Sequence, residues 1–441
     1  MTDKPRNDSA TPDRGRAVKL LIALAVLNAA LVPVFAFRGT TELDVYITAA
    51  LRLVRGEEIY RLAGDIVPAF TYPPIFALIV TPITWLPELG EQIAWCVVQI
   101  TLAAVLVAVL WCGLGPRLQS ESGARHGAAV IFWTVMLLVG LRYLLSPLEN
   151  QSHDLVVAVL VTGGAMLGAR GRDGLGGLLL GLATALKATP LLFLPVLVLQ
   201  RRWRAVGAMV AAILVASAAP DLIAPRNDGE SNIVRWIEIA SGAARPGSSG
   251  GEVVWHSWNH LNQNLAGTVY RLTAAPSEAF AGPDVSIVQL SNDGRRLLTI
   301  ALQALVLLTV LGVTLRSNRL ADPASDTYVQ RRLGEAGVVA CGMILLSPMS
   351  SKAHYCVLLI GVAVIAVEFG RRPRAVLGGL LALMFVSSTL TAKGLLGSDR
   401  GNLFLAFGST MLSAVLLLAA LATWLTRQRR PLAGTPHDQG L

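Results

Sequence analysis

The sequence predicts an all-α integral membrane protein, a bundle of about twelve transmembrane helices. Of its 441 residues, 54% are hydrophobic and only 15% are charged, whereas a soluble domain carries about 25% charged residues. Aromatic residues make up only 6% of the chain, so the excess is Leu, Val, Ala and Ile, which dissolve readily in acyl chains. This composition excludes a soluble enzyme.

Twelve apolar runs define a predicted membrane domain, residues 20–426, between tails 1–19 and 427–441. They lie near 20–37, 92–113, 128–145, 153–169, 174–187, 188–200, 204–223, 295–315, 334–348, 353–369, 375–392 and 402–426. Prolines interrupt a thirteenth run, 72–86. We predict an interfacial or re-entrant helix there, because irregular backbone at membrane depth must be covered by protein or line a water-filled cavity.

The basic residues predict the orientation. They cluster at 4–19, 117–125, 170–172, 201–204, 316–332, 371–374 and 427–430. When 72–86 is not counted, two apolar runs separate each basic cluster from the next. Two crossings return the chain to the same side of the membrane, so all clusters can be cytoplasmic, the side that basic residues favour. This predicts a multi-pass protein of the cytoplasmic membrane with both termini in the cytoplasm and outer loops 38–91 and 224–294. Such short clusters do not indicate a nucleic-acid partner.

The first predicted outer loop carries an acidic and aromatic segment. Residues 42–46 read Glu-Leu-Asp-Val-Tyr, and residues 71–74 read Thr-Tyr-Pro-Pro. The prolines would hold this loop near the membrane surface, which makes Asp44, Tyr46 and Tyr72 candidates for a site. Alternatively, Asp44 is a solvated loop residue or caps the following helix.

Two further candidate groups lie at the predicted outer ends of apolar runs. The polar block 149–154, Glu-Asn-Gln-Ser-His-Asp, contributes Gln151 and His153, unless it is only a short loop. Lys187 lies between two apolar runs, and a buried cation needs a partner or an anionic ligand. A snorkelling anchor is the alternative for this lysine.

Amides, aromatic rings and cations follow in the second half of the chain. Segment 255–264 combines Asn259, His260 and Asn264 with two tryptophans. Amides pair with sugar hydroxyls and Trp faces stack on pyranose rings, although Trp also favours membrane interfaces. The hinge 347–355 adds Lys352 and His354 on the same predicted side, which makes an anion site plausible.

These side chains suit the transfer of a group from a phosphate-linked donor. A carboxylate can take the proton of the acceptor, and cations can hold the leaving phosphate. The sequence contains no Asp-x-Asp motif, so we expect neither a metal nor a cofactor.

Together these motifs resemble glycosyltransferase family 87 over about residues 20–425. The motifs are Asp44-Val45-Tyr46 with Gly56 and Tyr60, "YPP" at Tyr72, "LKATP" at Leu186, "RRW" at Arg201, the loop at Asn259 and "LLSPMSSKAHY" from Leu345. The resemblance implies a GT-C-type helix bundle with an outward-facing cavity. It also implies inverting transfer of a sugar, mannose in the best-known members, from a polyprenyl-phosphate donor to a lipid or glycan acceptor among the membrane lipids.

The resemblance also implies roles for individual residues. Asp44 would be the general base, and Lys187, Lys352 and His354 would lie near the donor phosphate. One departure leaves the sugar and the acceptor open: the family often has Gly-Gln-x-Asn where residues 150–153 read Asn-Gln-Ser-His.

Two other functions remain possible from the sequence. A lipid-linked saccharide transporter or flippase often has repeated halves with matching broken helices, and the sequence shows no such repeat. A structural subunit with a degenerate site is the other alternative, against which Asp44 and Lys187 argue.

Overall fold

The structure is a computed structural model that describes residues 14–37, 41–60, 68–119, 125–243, 255–275 and 282–427. All regular structure in these ranges is helical, which confirms the predicted all-α class. Seven of the described helices are long and apolar enough to cross a membrane, namely Val18–Phe35, Glu88–Leu118, Gly127–Asn150, Trp203–Ile223, Asn292–Leu320, Lys352–Arg371 and Ser409–Arg427. Five more apolar helices have 10–17 residues.

The first half of the described chain contains ten α-helices. They are α1 (Arg14–Phe35), α2 (Thr41–Val54), α3 (Pro74–Val80), α4 (Glu88–Gln119), α5 (Arg125–Val135), α6 (Leu141–Asn150), α7 (Asp154–Ala169), α8 (Asp173–Leu186), α9 (Phe193–Leu199) and α10 (Trp203–Ile223). A π turn, Met136–Gly140, joins α5 to α6, and 3₁₀ turns Thr81–Trp85 and Thr189–Leu192 follow α3 and precede α9.

The second half of the described chain adds nine α-helices. They are α11 (Asn232–Ala243), α12 (Leu265–Thr273), α13 (Asn292–Leu320), α14 (Tyr328–Leu346), α15 (Leu359–Arg371), α16 (Ala375–Thr389), α17 (Lys393–Leu396), α18 (Ser398–Ala406) and α19 (Ser409–Arg427). A 3₁₀ helix, Lys352–Leu358, leads directly into α15.

The predicted run 402–426 is two helices rather than one. Gly408 separates α18 from α19 with a φ of +79°, a conformation that residues with a Cβ rarely adopt. A Cβ at this position would stand 2.4 Å from Thr268 Cγ2. The break therefore lets α12 pack closely against the start of α19.

Helix α15 lies at the centre of the bundle. Its residues from Leu359 to Glu368 are all buried, and it contacts α14, α4, α5 and α19. A helix that is apolar on all sides is stable only when other helices surround it. The 3₁₀ helix that precedes it is thereby held against the functional site described below.

The proline-rich segment 72–86 and α2 form a small layer beside the bundle. Helix α2 buries Leu43, Tyr46, Ala50 and Leu53, which recur at helical spacing, and it packs against α3. The segment Pro74–Trp85 is among the shorter apolar helices. At about 1.5 Å per residue it cannot cross a hydrocarbon core of about 30 Å.

Helix α8 approaches α10 and α7 very closely. A Cβ at Gly177 would lie 2.1 Å from the carbonyl oxygen of Ala205 on α10. Small residues allow such backbone contact between membrane helices. This packing fixes the C-terminal end of α8, where Lys187 follows.

Several basic clusters meet at one end of the bundle. Arg202 donates to the carbonyl oxygen of Gly168 at 2.8 Å, and Arg117 donates to the side chain of Gln330. Asp154 begins α7 and Gly168 lies in its last turn. They are separated by about 20 Å at the rise of an α-helix. The basic end and Asp154 therefore lie at opposite ends of α7.

Candidate functional site

A polar cavity of about 300 Å³ opens at the end of the bundle away from these basic contacts. Residues from α2, the turn after α6, segment 255–261 and the start of the 3₁₀ helix before α15 meet around it. The lining residues are Glu42, Tyr72, Glu149, Asn150, Ser152, Asp154, Trp255, Leu261, Ser351, Lys352, Ala353, His354 and Leu405. Polar segments far apart in the sequence thus contribute to one cavity.

Glu42 presents a half-buried carboxylate to this cavity from the first turn of α2. Tyr46 donates a hydrogen bond to Glu42 Oε2 at 3.0 Å, and Tyr72 donates to the same oxygen at 3.3 Å. Glu42 and Tyr46 are four residues apart and therefore share one face of the helix. The two hydroxyls fix one carboxylate oxygen.

The surroundings of Glu42 favour proton uptake. Burial raises the pKa of the Glu42 carboxyl above its usual value, and the negative charge of Asp154 adds to this. The hydrogen bond from Tyr46 and the positive charge of Lys187 act in the opposite direction. Burial also raises the pKa of Tyr46 well above its usual value, so Tyr46 remains a hydrogen-bond donor.

Asp44, the general base implied by the resemblance, lies outside this cavity. Its side chain is exposed, and it does not line the cavity. It is two residues from Glu42, which is about 200° around the helix axis, and the charge that acts on it is that of Glu88. The carboxylate that α2 directs to the cavity is therefore that of Glu42.

Asp154 forms the centre of a buried charged cluster. Lys187 Nζ lies 2.5 Å from Asp154 Oδ1, and His354 Nε2 lies 3.7 Å from Oδ2. Ser152 donates to Oδ2 at 2.9 Å. Lys187 is thus paired with an acid, and it lines a small side pocket rather than the main cavity.

Lys352 supplies a positive charge to the cavity wall, and His354 lies two residues further along the same 3₁₀ helix. No carboxylate in the part of the chain that the structure describes lies within 4.0 Å of the Lys352 amino group. The backbone N–H of Ser351 donates to His354 Nδ1 at 3.3 Å. His354 Nδ1 is therefore an acceptor, which places the proton of the neutral ring on Nε2, towards Asp154.

Gln151 and His153 lie behind the cavity wall. Gln151 adopts a left-handed conformation with a φ of +51°, and its amide donates to the carbonyl oxygen of Phe35 at 3.1 Å. His153 is completely buried, with Nδ1 3.3 Å from the Tyr46 hydroxyl. Neither side chain lines the cavity, whereas Ser152 between them does.

The amides of segment 255–264 bind backbone rather than face the cavity. Asn264 accepts from Gly267 N at 2.6 Å as the N-cap of α12 and donates to the carbonyl oxygen of Ser347 at 2.7 Å. Asn259 accepts from Leu261 N at 2.9 Å. Neither Asn259, His260 nor Asn264 lines the cavity, to which this segment contributes Trp255 and Leu261.

Most of the residues that line the cavity, among them Glu42, Asp154 and Trp255, were not singled out as site residues from the sequence. The helical spacing of Glu42 and Tyr46, together with the buried Leu43 and Ala50, was a usable signal for Glu42. Asp154 and Trp255 had no comparable local signal. Their positions depend on how distant segments pack.

Comparison with known proteins now identifies the family. Residues 70–348, more than half of the chain, match the profile of Glycosyltransferase family 87. The chain belongs to glycosyltransferase family 87. The resemblance drawn from the short motifs is thereby confirmed, and the protein is a glycosyltransferase.

Two known proteins are similar to this chain over most of its length. Both are named polyprenol-phosphate-mannose-dependent alpha-(1-2)-phosphatidylinositol mannoside mannosyltransferase. The protein from Mycobacterium tuberculosis is 26% identical over 355 residues, which cover 78% of this chain and 73% of the relative. The protein from Mycolicibacterium smegmatis is 26% identical over 352 residues, which cover 76% of this chain and 71% of the relative.

Proposed function

We propose that this protein transfers mannose from polyprenyl-phosphate mannose to a lipid or glycan acceptor, with inversion at the anomeric carbon. The donor follows from the names of the two relatives and from the family. The observation that carries the proposal is the cavity itself, in which the half-buried carboxylate of Glu42 shares one space with the amino group of Lys352, which has no ion pair among the described residues. The Glu42 carboxylate can accept a proton, and the Lys352 amino group can bind a phosphate.

Glu42 is the proposed general base. The carboxylate takes the hydroxyl proton of the acceptor as the acceptor oxygen forms its bond to the anomeric carbon. The bond between this carbon and the phosphate oxygen breaks, and its electron pair remains on the phosphate. The raised pKa of Glu42 suits this task, because a base works best when its pKa approaches the working pH.

Lys352 and His354 are the proposed partners of the leaving phosphate. Both line the cavity, and both carry N–H groups that can donate to phosphate oxygens. Lys187 is better assigned to Asp154, which it contacts at 2.5 Å. We propose that Lys187 holds Asp154 and, through it, His354 in place.

We also propose the topology predicted from the basic clusters. Twelve segments cross the membrane, residues 1–19 and 427–441 are cytoplasmic tails, and the segment 72–86 stays at the outer interface. The distance along α7 between Asp154 and the basic contacts at Gly168 supports this arrangement. The cavity then opens on the outer face of the cytoplasmic membrane.

The direct experiment is label transfer by the purified protein. We expect transfer of radiolabelled mannose from polyprenyl-phosphate mannose to a component of a membrane lipid extract. Nucleotide-linked mannose and polyprenyl-phosphate glucose are the matched control donors and should give no comparable transfer. Transfer from the nucleotide sugar alone would contradict the proposed donor.

A further inference from the structure

The Glu42 carboxylate begins a buried chain of hydrogen bonds that leads away from the cavity. The Tyr46 hydroxyl lies 3.0 Å from Glu42 Oε2 and 3.3 Å from His153 Nδ1. The backbone N–H of His153 donates to the Tyr46 oxygen, also at 3.3 Å. Tyr46 and His153 are both completely buried. Substrate in the cavity can reach neither of them directly.

The Tyr46 hydroxyl has two acceptors but only one proton. It can donate fully to Glu42 or to His153 Nδ1, but not to both. A fully buried imidazole is expected to be neutral, because burial disfavours the charged form. The backbone N–H of His153 already donates to the Tyr46 oxygen, so we assign the ring proton to Nε2 and leave Nδ1 as an acceptor for the Tyr46 hydroxyl. The bond from Tyr46 to Glu42 therefore competes with a bond to His153.

We propose that His153 is a positioning residue that adjusts the basicity of Glu42 through Tyr46. While Glu42 is ionised, His153 shares the Tyr46 proton and so weakens the bond that stabilises the carboxylate. When Glu42 has taken the acceptor proton, the new Glu42 O–H donates to the Tyr46 oxygen. Tyr46 then turns its own proton to His153 Nδ1. His153 itself gains no proton.

This role rests on the proposed function of Glu42 as the general base. It gives a histidine buried behind the cavity wall a role in a reaction that it does not contact. In both protonation states of Glu42 the Tyr46 hydroxyl has an acceptor, and no buried polar group has to break its bond without replacement, which would be costly.

Other groups also act on Glu42, and they remain in the variants used below. Asp154 from α7 and Lys187 after α8 act with opposite charges, and Tyr72 donates to the same oxygen as Tyr46. His354 faces Asp154 at 3.7 Å. A change at Tyr46 or His153 leaves these groups in place, so a shift in the pH profile reports on the Tyr46 hydroxyl.

The test is the pH dependence of kcat for mannose transfer by the full-length protein. In His153→Leu, the Tyr46 hydroxyl should donate its hydrogen bond to Glu42 alone. This stabilises the ionised carboxylate, so the acidic limb of the pH profile should move to lower pH. Tyr46→Phe removes the donor and should move the limb to higher pH. We expect the midpoint of the limb to move by about one pH unit in each variant, the effect of one hydrogen bond to a charged group.

Two further variants complete the test. In the double variant Tyr46→Phe/His153→Leu, the acidic limb should have the same midpoint as in Tyr46→Phe alone, because His153 acts only through Tyr46. His153→Asn, which keeps an acceptor near the Nδ1 position, should restore the wild-type limb. His153→Ala is measured in parallel in case the leucine variant does not fold, and it should shift the limb in the same direction.

The proposal is overturned if the two single variants shift the limb in the same direction or not at all. Additive effects in the double variant would also overturn it, since they would show that His153 acts independently of Tyr46. These outcomes differ from failure of the proposed function. Retained activity in Glu42→Gln would show that Glu42 is not the general base. The pH profiles described above test only whether His153 acts on Glu42 through Tyr46.

Discussion

At the scale of single residues, the two lysines of the site differ in what surrounds them. Lys187 contacts Asp154 at 2.5 Å, whereas Lys352 lines the cavity without an ion pair in the described chain. Lys187→Met should lower the free energy of unfolding by about 3 kcal/mol, because it leaves a buried carboxylate with less compensation. Thermal unfolding of the purified protein in detergent measures this.

Lys352→Met is the matched variant and should weaken donor binding rather than stability. It removes a donor to the leaving phosphate, so we expect the KM for the polyprenyl donor to rise roughly tenfold or more. Its melting temperature should stay close to that of the wild type. A raised donor KM in Lys187→Met with unchanged stability would reverse the two assignments.

The pH dependence of the rate should report the buried environment of Glu42. Burial raises its pKa above the ordinary 4.5. A general base must be ionised, so kcat should be fully present above the raised pKa and fall as the pH drops through it. The midpoint of this acidic limb, measured with saturating donor, should lie above 4.5. A rate that stays constant down to that pH would contradict the assignment.

Sequence reasoning identified the segments of the site better than its residues. The segments near 42–46, 149–154 and 347–355 all reach the cavity. Asp44 was chosen as the general base on a family resemblance. In the structure, the face of α2 that borders the cavity carries Glu42. Side-chain direction depends on where a helix begins and which face it buries, and neither can be read from a motif alone.

At the scale of elements, Asn264 joins two segments that carry the cavity wall. It caps α12 and binds the carbonyl oxygens of Ser347 and Pro348. Asn264→Ala should lower the free energy of unfolding by about 3 kcal/mol, from the lost cap and the lost hydrogen bonds to the two carbonyl oxygens. Thermal unfolding tests this. A stable variant with a raised acceptor KM would instead indicate that the amide binds sugar.

The packing of α8 against α10 sets the position of Lys187 and offers a second test. Gly177→Leu places a side chain where the Ala205 carbonyl oxygen already lies 2.1 Å from the expected Cβ. We expect a marked loss of folded protein, measured by size-exclusion chromatography in detergent. Gly174→Leu is the control, because a Cβ there meets no atom within 4 Å. Equal recovery of both variants would contradict the close helix contact.

Apolar periodicity predicted the helices but not their interruptions. All twelve predicted runs contain helix. The π turn at 136–140 and the break at Gly408 were not apparent, since both sit inside runs of uniform hydrophobicity. At Gly408 the break coincides with the close approach of Thr268 from α12.

At the scale of the whole molecule, the orientation depends on the basic clusters. In a variant without native cysteines, Ser398→Cys should react with a membrane-impermeant thiol reagent in intact cells, and Ala324→Cys should react only after lysis. Both positions are exposed. Positive residues favour the cytoplasmic side of a membrane, and residue 324 lies within the basic cluster 316–332. Labelling of Ala324→Cys from outside would reverse the proposed topology.

The central claim is that one cavity carboxylate, that of Glu42, accepts the proton of the acceptor. The most direct measurement compares the initial rates of mannose transfer by Glu42→Gln and Asp44→Asn, both purified and checked for folding. We predict that Glu42→Gln loses roughly 100-fold or more in kcat, as expected for loss of a general base. Asp44→Asn should remain close to wild type, because its side chain is exposed outside the cavity. An active Glu42→Gln together with an inactive Asp44→Asn would contradict the account.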